Sequence, residues 1–173
     1  MIAPHVTVKP WSGGLQHPMY GTADTYQLAA AWLADCADVA DWGGGTGALG
    51  HFLPRSVRYR VVDGTLQTTD QALFDLETFR EPADGIALRH VLDINLGWRE
   101  ILINALGAFR RRMVVITFTP DARETTVRKF KSGWPILHFD PADLRARLQP
   151  YVVRDEAVMT SHPERIYYLE KGR

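Results

Sequence analysis

The chain has 173 residues, of which 46% are hydrophobic and 23% charged, values typical of a single soluble globular domain that exclude a fibrous or disordered protein. Its 20 basic and 20 acidic residues cancel to a formal charge of zero, so no long-range attraction to nucleic acid or to an anionic membrane is expected. Cys36 is the only cysteine, which excludes an intramolecular disulfide and a CxxC metal site, and no apolar run is long enough to span a membrane. We therefore expect a reduced, cytoplasmic protein without a signal peptide or a bound metal.

Residues 1–22 are predicted to form an N-terminal arm, and residues 23–173 the main domain. Prolines, glycines and aromatic residues are interspersed in the arm, a composition that favours turns over helices and strands. The arm could fold over a ligand as a lid, which would bring Tyr20 against the ligand and make Tyr20 and His17 candidate bases. An arm that only covers the sheet is an equally good interpretation.

The first predicted helix begins with a capping-box-like pattern, in which Asp24 is followed three residues later by Gln27. Leu28, Trp32 and Cys36 recur at a spacing of four residues and predict its buried stripe. The helix leads into a short apolar strand over residues 39–41.

A glycine-rich turn follows this first strand, in the sequence VADWGGGTGALG at residues 39–50. Such a turn visits positive φ angles and lets a ligand approach the backbone amides, and residues 48–53 after it can start a helix. The GTGALG part also fits the GxGxxG fingerprint of dinucleotide sites, so a nicotinamide nucleotide is an alternative ligand. Asp41 favours a cationic ligand instead, because its carboxylate would repel a pyrophosphate.

The whole string resembles motif I of the class I S-adenosylmethionine-dependent methyltransferases. In that family the acid at the position of Asp41 contacts the methionine part of the cofactor, often through water. The resemblance implies that S-adenosylmethionine, and its product S-adenosylhomocysteine, bind at this turn. The residues implied are Asp41, Trp42, Gly43, Gly44, Gly45, Thr46 and Gly47.

The remaining predicted elements alternate between strands and helices. Strands are expected at 59–63, 72–76, 85–90 and 113–118, with helices or helical turns near 65–70, 98–109 and 141–150. Two last strands, at 151–160 and 164–171, are joined by a connection that is short enough only for an antiparallel hairpin. The sequence therefore predicts an α/β Rossmann-like fold: a mostly parallel sheet with helices on both faces and a C-terminal antiparallel hairpin, similar to the seven-stranded methyltransferase fold.

Acids lie at the predicted ends of the second and third strands, where ligands bind in open α/β sheets. The resemblance implies that Asp63, with Gly64 beside it, holds the cofactor ribose, and that Asp75 and Leu76 hold the adenine. A turn or cap role is the alternative for Asp63. A place within a helix over 69–79 is the alternative for Asp75.

The segment from Arg89 to Ile94 follows the next predicted strand and is similar to the His-Val-Leu-Glu-His segment of many relatives. Here Ile94 replaces the second histidine. The resemblance implies that Arg89 and His90 face the cofactor and that His90 and Asp93 are the catalytic candidates near the methyl group. A histidine packed against the next helix is the alternative.

Residues 120–139 form a long predicted connection in which basic and aromatic residues are interleaved. Such a segment could grip a phosphate and stack a base, although a solvated loop anchored by Trp134 is the simpler interpretation. We therefore expect a small-molecule acceptor in preference to nucleic acid, which this segment leaves open. The sequence does not predict an oligomeric state.

Together these features predict transfer of a methyl group from S-adenosylmethionine to an oxygen or nitrogen of a small acceptor. An NAD(P)-dependent oxidoreductase that uses the same turn is one alternative. A catalytically silent binding module with this fold is another, since Ile94 stands where relatives have the second histidine.

Overall fold

The computed structural model describes residues 23–64, 74–118, 122–129 and 135–172. The predicted arm with His17 and Tyr20, and the helix predicted near 65–70, lie outside these residues. Within them no helix combines the length and the apolar character needed to cross a membrane.

The described elements alternate between helices and strands along most of the chain. They are α1 (Ala23–Leu33), β1 (Asp38–Trp42), β2 (Arg58–Val62), β3 (Ala83–Arg89), α2 (Trp98–Ala108), β4 (Phe109–Phe118), β5 (Thr126–Lys129), β6 (Pro135–His138), α3 (Pro141–Leu148), β7 (Val152–Met159) and β8 (Pro163–Glu170). Two short 3₁₀ helices, Ala48–His51 and Leu92–Ile94, follow β1 and β3.

The main sheet has the strand order β2-β1-β3-β4-β8-β7. Strands β1 to β4 pair in parallel, whereas β8 is antiparallel to both β4 and β7. The predicted α/β fold with a C-terminal hairpin is therefore confirmed. The described sheet has six strands, one fewer than predicted.

The strand predicted at 72–76 is wrong for the residues of that segment that the structure describes. The amide of Phe74 donates one hydrogen bond to the carbonyl of Asp63, at 2.9 Å, and Asp75 then begins a turn. Its carboxylate accepts from the amide of Glu77, and its carbonyl accepts from the amides of Thr78 and Phe79. An aspartate that bonds to the backbone two residues ahead stabilises a turn in place of a strand ladder.

Residues 120–139, predicted as a connection, contain the two strands of a separate antiparallel ribbon, β5 and β6. Ile136 and Leu137 are buried, and β6 packs against the 3₁₀ helix Leu92–Ile94. Burial of this apolar pair explains why the segment leaves solvent and forms a ladder.

The core lies on both faces of the sheet. Alternate residues of the central strands point to opposite faces, as with Ile86 on one side and Ala87 on the other. Helices α2 and α3 cover the first face, and α1 covers the second, so helices cover both faces as predicted.

Helix α2 buries the predicted residues Trp98, Ile101, Leu102 and Ala105, but it ends before Phe109, which begins β4. Helix α3 begins as predicted. The carboxylate of Asp140 accepts from the amide of Ala142, and Pro141 occupies the first turn.

The apolar stripe predicted for α1 is found only in part. The buried face of the helix is formed by Thr25, Tyr26, Ala29, Ala30 and Leu33. Leu28 and Trp32 are partly buried at the edge of this face, and Cys36 is buried but lies beyond the helix. The Trp32 side chain donates its Nε1 hydrogen to the carbonyl of Met113.

Candidate functional site

The glycine turn follows the carboxyl end of β1 and contains three residues at positive φ. These are Gly43 at 72°, Gly45 at 55° and Gly47 at 81°. Residues with a Cβ resist this region, so the local glycines account for the shape of the turn. The turn leads into the 3₁₀ helix Ala48–His51, where the sequence predicted the start of a longer helix.

Gly45 faces open space, since a Cβ built on it would meet no atom within 4 Å. The neighbouring Thr46 is exposed. A ligand therefore has room at this point of the turn. Trp42 contributes only its backbone here, because its side chain is 0% exposed and packs edge-on to Phe79 in the core.

Asp41 lies buried beneath the turn, with only 3% of its surface exposed. A Cβ on Gly44 would be 2.6 Å from its carboxyl carbon, so the carboxylate lies directly against Gly44. The hydroxyl of Tyr59 donates to Asp41 Oδ2 at 2.7 Å. Burial raises the pKa of Asp41 to about 6, an effect that the Tyr59 hydrogen bond and Arg89 reduce and Asp63 increases.

Asp63 follows β2 and is linked directly to the turn. Its Oδ2 accepts a hydrogen bond from the amide of Gly45 at 2.8 Å, so two predicted site residues are in contact. A Cβ on the adjacent Gly64 would lie 3.4 Å from the carbonyl of Phe74, which leaves little room on that side.

Asp75 and Leu76 lie in the turn that follows Phe74. The Asp75 carboxylate is used by the Glu77 amide at 3.0 Å, and Leu76 is buried in the core. The hydrogen bond from Phe74 to Asp63 brings this turn beside the end of β2.

Arg89 ends β3 and reaches toward α1. Its Nε donates to Thr25 Oγ1 at 3.0 Å, and its guanidinium lies 4.0 Å from the centre of the Tyr26 ring. Its Nη2 is 3.7 Å from Glu164 Oε1. Arg89 is thus the cation that links the ends of β3 and α1 to the C-terminal hairpin.

His90 adopts a φ of 54°, in the left-handed region that side chains with a Cβ rarely adopt. Its ring is 5% exposed and stacks on Phe118 with the ring centres 3.9 Å apart. Nδ1 lies 3.2 Å from Asp93 Oδ2, and Nε2 lies 3.2 Å from Glu164 Oε1.

Both partners of the His90 ring are carboxylates, which accept hydrogen bonds when ionised, so the protonated ring can donate to both. Burial by itself lowers the pKa of His90, but the hydrogen bonds to Asp93 and Glu164 raise it above its ordinary value. Burial raises the pKa of Glu164, and the hydrogen bond and charge of His90 bring it below its ordinary value.

Asp93 is fully buried and turned away from solvent. Its Oδ2 accepts from His90 and also from the amide of Phe118 at 2.8 Å. The carboxylate therefore ties the turn after β3 to the end of β4.

Tyr59, Phe118 and Glu164 were missed by the sequence analysis. Tyr59 shares a face with Asp41 only because β1 and β2 pair in a particular register, with Asp41 opposite Val61. Glu164 lies 74 residues from His90 along the chain, and no sequence spacing signals the contact.

Arg128 and Lys129 on β5, and Arg123 just before it, are exposed. The predicted aromatic members Phe130 and Trp134 lie outside the described residues. In the parts of the chain that the structure covers, no group of three or more His, Cys, Asp or Glu is arranged to hold a metal ion.

No protein-family model and no curated protein sequence matches the chain. Solved structures do match it. The 1,6-didemethyltoxoflavin-N1-methyltransferase of Burkholderia thailandensis, solved with 1,6-didemethyltoxoflavin and S-adenosylhomocysteine, has a TM-score of 0.71 at 16% identity, over 87% of this chain and 77% of that one.

The magnesium protoporphyrin IX methyltransferase of Synechocystis PCC 6803, solved with S-adenosylhomocysteine, has a TM-score of 0.69 at 16% identity, over 86% of this chain and 83% of that one. Mitomycin 7-O-methyltransferase has a TM-score of 0.62 at 19% identity, over 87% of this chain and 53% of that one. The chain therefore has the fold of the class I S-adenosylmethionine-dependent methyltransferases, as the sequence predicted.

Proposed function

We propose that this protein transfers a methyl group from S-adenosylmethionine to an oxygen or nitrogen of a small-molecule acceptor. The observation that carries the proposal is the open space above Gly45, next to the buried carboxylate of Asp41. The glycine amides of the turn already donate within the protein, so the open space and the negative group beneath it are what suit a ligand that carries an ammonium group and hydroxyls. The similar structures described above contain S-adenosylhomocysteine, which has these groups.

In this proposal Asp41 supplies the negative charge beneath the cofactor ammonium, and the turn residues Gly43, Gly44, Gly45, Thr46 and Gly47, with the Trp42 backbone, line the cofactor. Asp63 accepts from the ribose hydroxyls while it keeps its bond to the Gly45 amide, since a carboxylate has about four acceptor positions.

The Asp63 side of the site also includes Gly64, and the turn at Asp75 and Leu76 lies against the adenine. Arg89 supplies positive charge for the cofactor carboxylate. Tyr20, in the predicted arm, remains a prediction.

The bound cofactor supplies a methyl group already activated on a sulfonium, so the protein needs no nucleophile of its own. What the chain must do is hold the acceptor in line and exclude water, which is worth up to about 7 to 11 kcal/mol of the barrier. His90 and Asp93 contribute by fixing the turn after β3. Since both ring nitrogens of His90 are bound to carboxylates, we assign the pair a positioning role in place of a free general base.

A small acceptor is consistent with 1,6-didemethyltoxoflavin bound in one similar structure. The exposed basic residues of β5 lie on the ribbon that packs beside the turn after β3, and they are available to an acceptor with negative charge. Nucleic acid remains the less favoured acceptor.

The two alternative functions, an oxidoreductase and a silent binding module, differ from the proposal in the ligand bound or in the product formed. A nicotinamide-dependent oxidoreductase would place a pyrophosphate near Asp41, where the buried carboxylate repels it. A silent binding module would bind S-adenosylhomocysteine without turnover.

Calorimetric titration of the purified protein with S-adenosylhomocysteine and with NADH tests the choice of cofactor. We expect saturable binding of S-adenosylhomocysteine alone, whereas binding of NADH alone would overturn the proposal. Incubation with S-adenosylmethionine and a panel of phenols, carboxylates and amines, followed by mass spectrometry for methylated products, then tests turnover. Binding with no product from any acceptor would favour the silent module.

A further inference from the structure

Tyr59 lies on β2 directly beneath the glycine turn and the 3₁₀ helix that follows it. A Cβ on Gly50 would be 2.7 Å from two atoms of its ring, and a Cβ on Gly47 would be 3.5 Å from its hydroxyl. The Tyr59 ring therefore occupies the space that a side chain at position 50 would fill. Gly50 is the third glycine of the GxGxxG pattern, and its role here is to make room for this ring.

The hydroxyl of Tyr59 donates a hydrogen bond to the Asp41 carboxylate, with 2.7 Å between Oη and Oδ2. Gly44 covers the same carboxylate from the turn side, where even a Cβ would approach within 2.6 Å. Asp41 is thus held between the phenol of β2 and the backbone of the turn, with little freedom to rotate.

The hydrogen-bonding and charged groups that act on Asp41 come from β2 and β3. Tyr59 donates from β2, Asp63 after β2 opposes ionisation of Asp41, and Arg89 at the end of β3 favours it. Burial and the Asp41 charge raise the pKa of Tyr59 far above its ordinary value, so the phenol stays neutral and keeps its proton to donate.

We propose that Tyr59 is a positioning residue for the cofactor: its hydroxyl keeps the Asp41 carboxylate charged and in one orientation, ready for the cofactor ammonium. This inference rests on the proposed function. It adds that the charge and orientation of the Asp41 carboxylate depend on the Tyr59 hydroxyl, which comes from the neighbouring strand β2.

Tyr59→Phe tests the proposal, because it removes the hydroxyl and retains the ring that packs under Gly47 and Gly50. Hydrogen bonds to charged groups are worth enough to change affinity by about tenfold to about a hundredfold, and we expect S-adenosylhomocysteine to bind more weakly by that factor. The pH at which binding is lost should also move upward, since the hydrogen bond lowers the pKa of Asp41.

Tyr168→Phe is the matched control. Tyr168 is a buried tyrosine, whereas Tyr59 is partly buried, and the Tyr168 hydroxyl likewise donates to a carboxylate, Glu156 Oε1 at 2.5 Å. It lies on β8, separated from β2 by three strands, so its loss should leave affinity and pH profile unchanged.

The experiment is calorimetric titration of both variants and the wild type with S-adenosylhomocysteine over a pH series that brackets the pKa of Asp41. Carboxyl NMR of Asp41 in the ligand-free wild type and Tyr59→Phe provides a readout that needs no cofactor. We also expect Tyr59→Phe to have no added effect on affinity in an Asp41→Asn background, because it acts through that carboxylate.

Unchanged affinity, pH profile and Asp41 titration in Tyr59→Phe would overturn the inference and leave the proposed function standing. A wild type that does not bind S-adenosylhomocysteine at any pH would overturn both. An equal loss in Tyr168→Phe would show a general effect of buried hydroxyls and would also overturn the inference.

Discussion

The turns after β1 and after β3 both contain residues at positive φ, but they reach this conformation by opposite means. After β1 the residues are glycines, at which the conformation carries little cost. After β3 the residue is His90, held at a φ of 54° by two carboxylates and by stacking on Phe118.

This difference determines what each turn offers. The glycine turn is shaped locally, so it needs no packing above Gly45 and leaves space for a ligand. The His90 turn is shaped by contacts from β4 and β8, which fill its surroundings and make it rigid. The molecule thus places an open turn after β1 beside a closed, charge-locked turn after β3.

Removal of His90 is the strongest test of the closed turn. His90→Ala leaves Asp93 and Glu164 buried without their shared cation, and we expect a loss of about 3 to 5 kcal/mol in the free energy of unfolding. Urea denaturation measures this loss. His51→Ala, at an exposed histidine near the other turn, is the control that should change little. A loss in His90→Ala no larger than in the control would contradict the charge lock.

The same lock predicts a pH window for stability. The pKa of His90 is raised in the folded state, so its contribution is fully present below its ordinary value of 6.5 and is lost as pH rises through the folded value. The pKa of Glu164 is lowered, so its contribution is present above 4.5 and is lost as pH falls through the folded value. His90→Ala should flatten the pH dependence of stability on the alkaline side.

Gly45→Val tests the open turn. The added methyl groups project into the space above the turn, and we expect affinity for S-adenosylhomocysteine to fall by about a hundredfold or more, that is by about 2.8 kcal/mol. The fold should survive with a loss of about 1 to 2 kcal/mol from the positive φ. Gly107→Val, on the exposed side of α2 where a Cβ also meets no atom within 4 Å, is the control. Unchanged affinity in Gly45→Val would show that the ligand does not lie there.

Asp41→Asn should separate function from stability in the open turn. Because burial raises the pKa of Asp41 from 3.8 to about 6, its contribution to stability is highest below pH 3.8, where Asp41 is protonated, and the full loss is reached once pH has risen through about 6. The amide oxygen can still accept from Tyr59, so the variant should be more stable at neutral pH, by about 3 kcal/mol at most. It should also bind S-adenosylhomocysteine more weakly. Thermal unfolding on both sides of that pH checks the sign: equal melting temperatures for the variant and the wild type at neutral pH would contradict it.

Asp63→Ala is expected to have the smallest effect on the open turn. Loss of a hydrogen bond to a charged group should weaken S-adenosylhomocysteine binding by about 1.5 to 3 kcal/mol. Part of this loss comes from the turn itself, because the Gly45 amide loses its acceptor. Asp63→Asn retains an acceptor oxygen and should lose less. If both variants bind as the wild type does, Asp63 serves only the fold.

The sequence predicted elements whose signals lie within a few residues of one another. The glycines after β1, the Asp140 cap with Pro141, and the apolar stripe of α2 each follow from local chemistry, and the structure contains all three. The hairpin at the end of the chain follows from the length of one connection.

Other features depended on contacts between distant parts of the chain. Where the structure describes residues 72–76, it has a turn stabilised by the Asp75 side chain in place of the expected strand. Residues 120–139 contain a β-ribbon because Ile136 and Leu137 are buried against the rest of the domain. Helix α1 buries the face that carries Ala29, Ala30 and Leu33, which is decided by its packing on the sheet.

The amino-acid sequence by itself therefore determined the fold class and the open glycine turn with its acid, because glycine conformation and strand-helix alternation are local properties. Only the tertiary structure decided that Tyr59 lies under Asp41 and that Glu164 reaches His90. Strand register and the insertion of β8 between β4 and β7 bring these pairs together, and neither can be deduced from spacing along the chain.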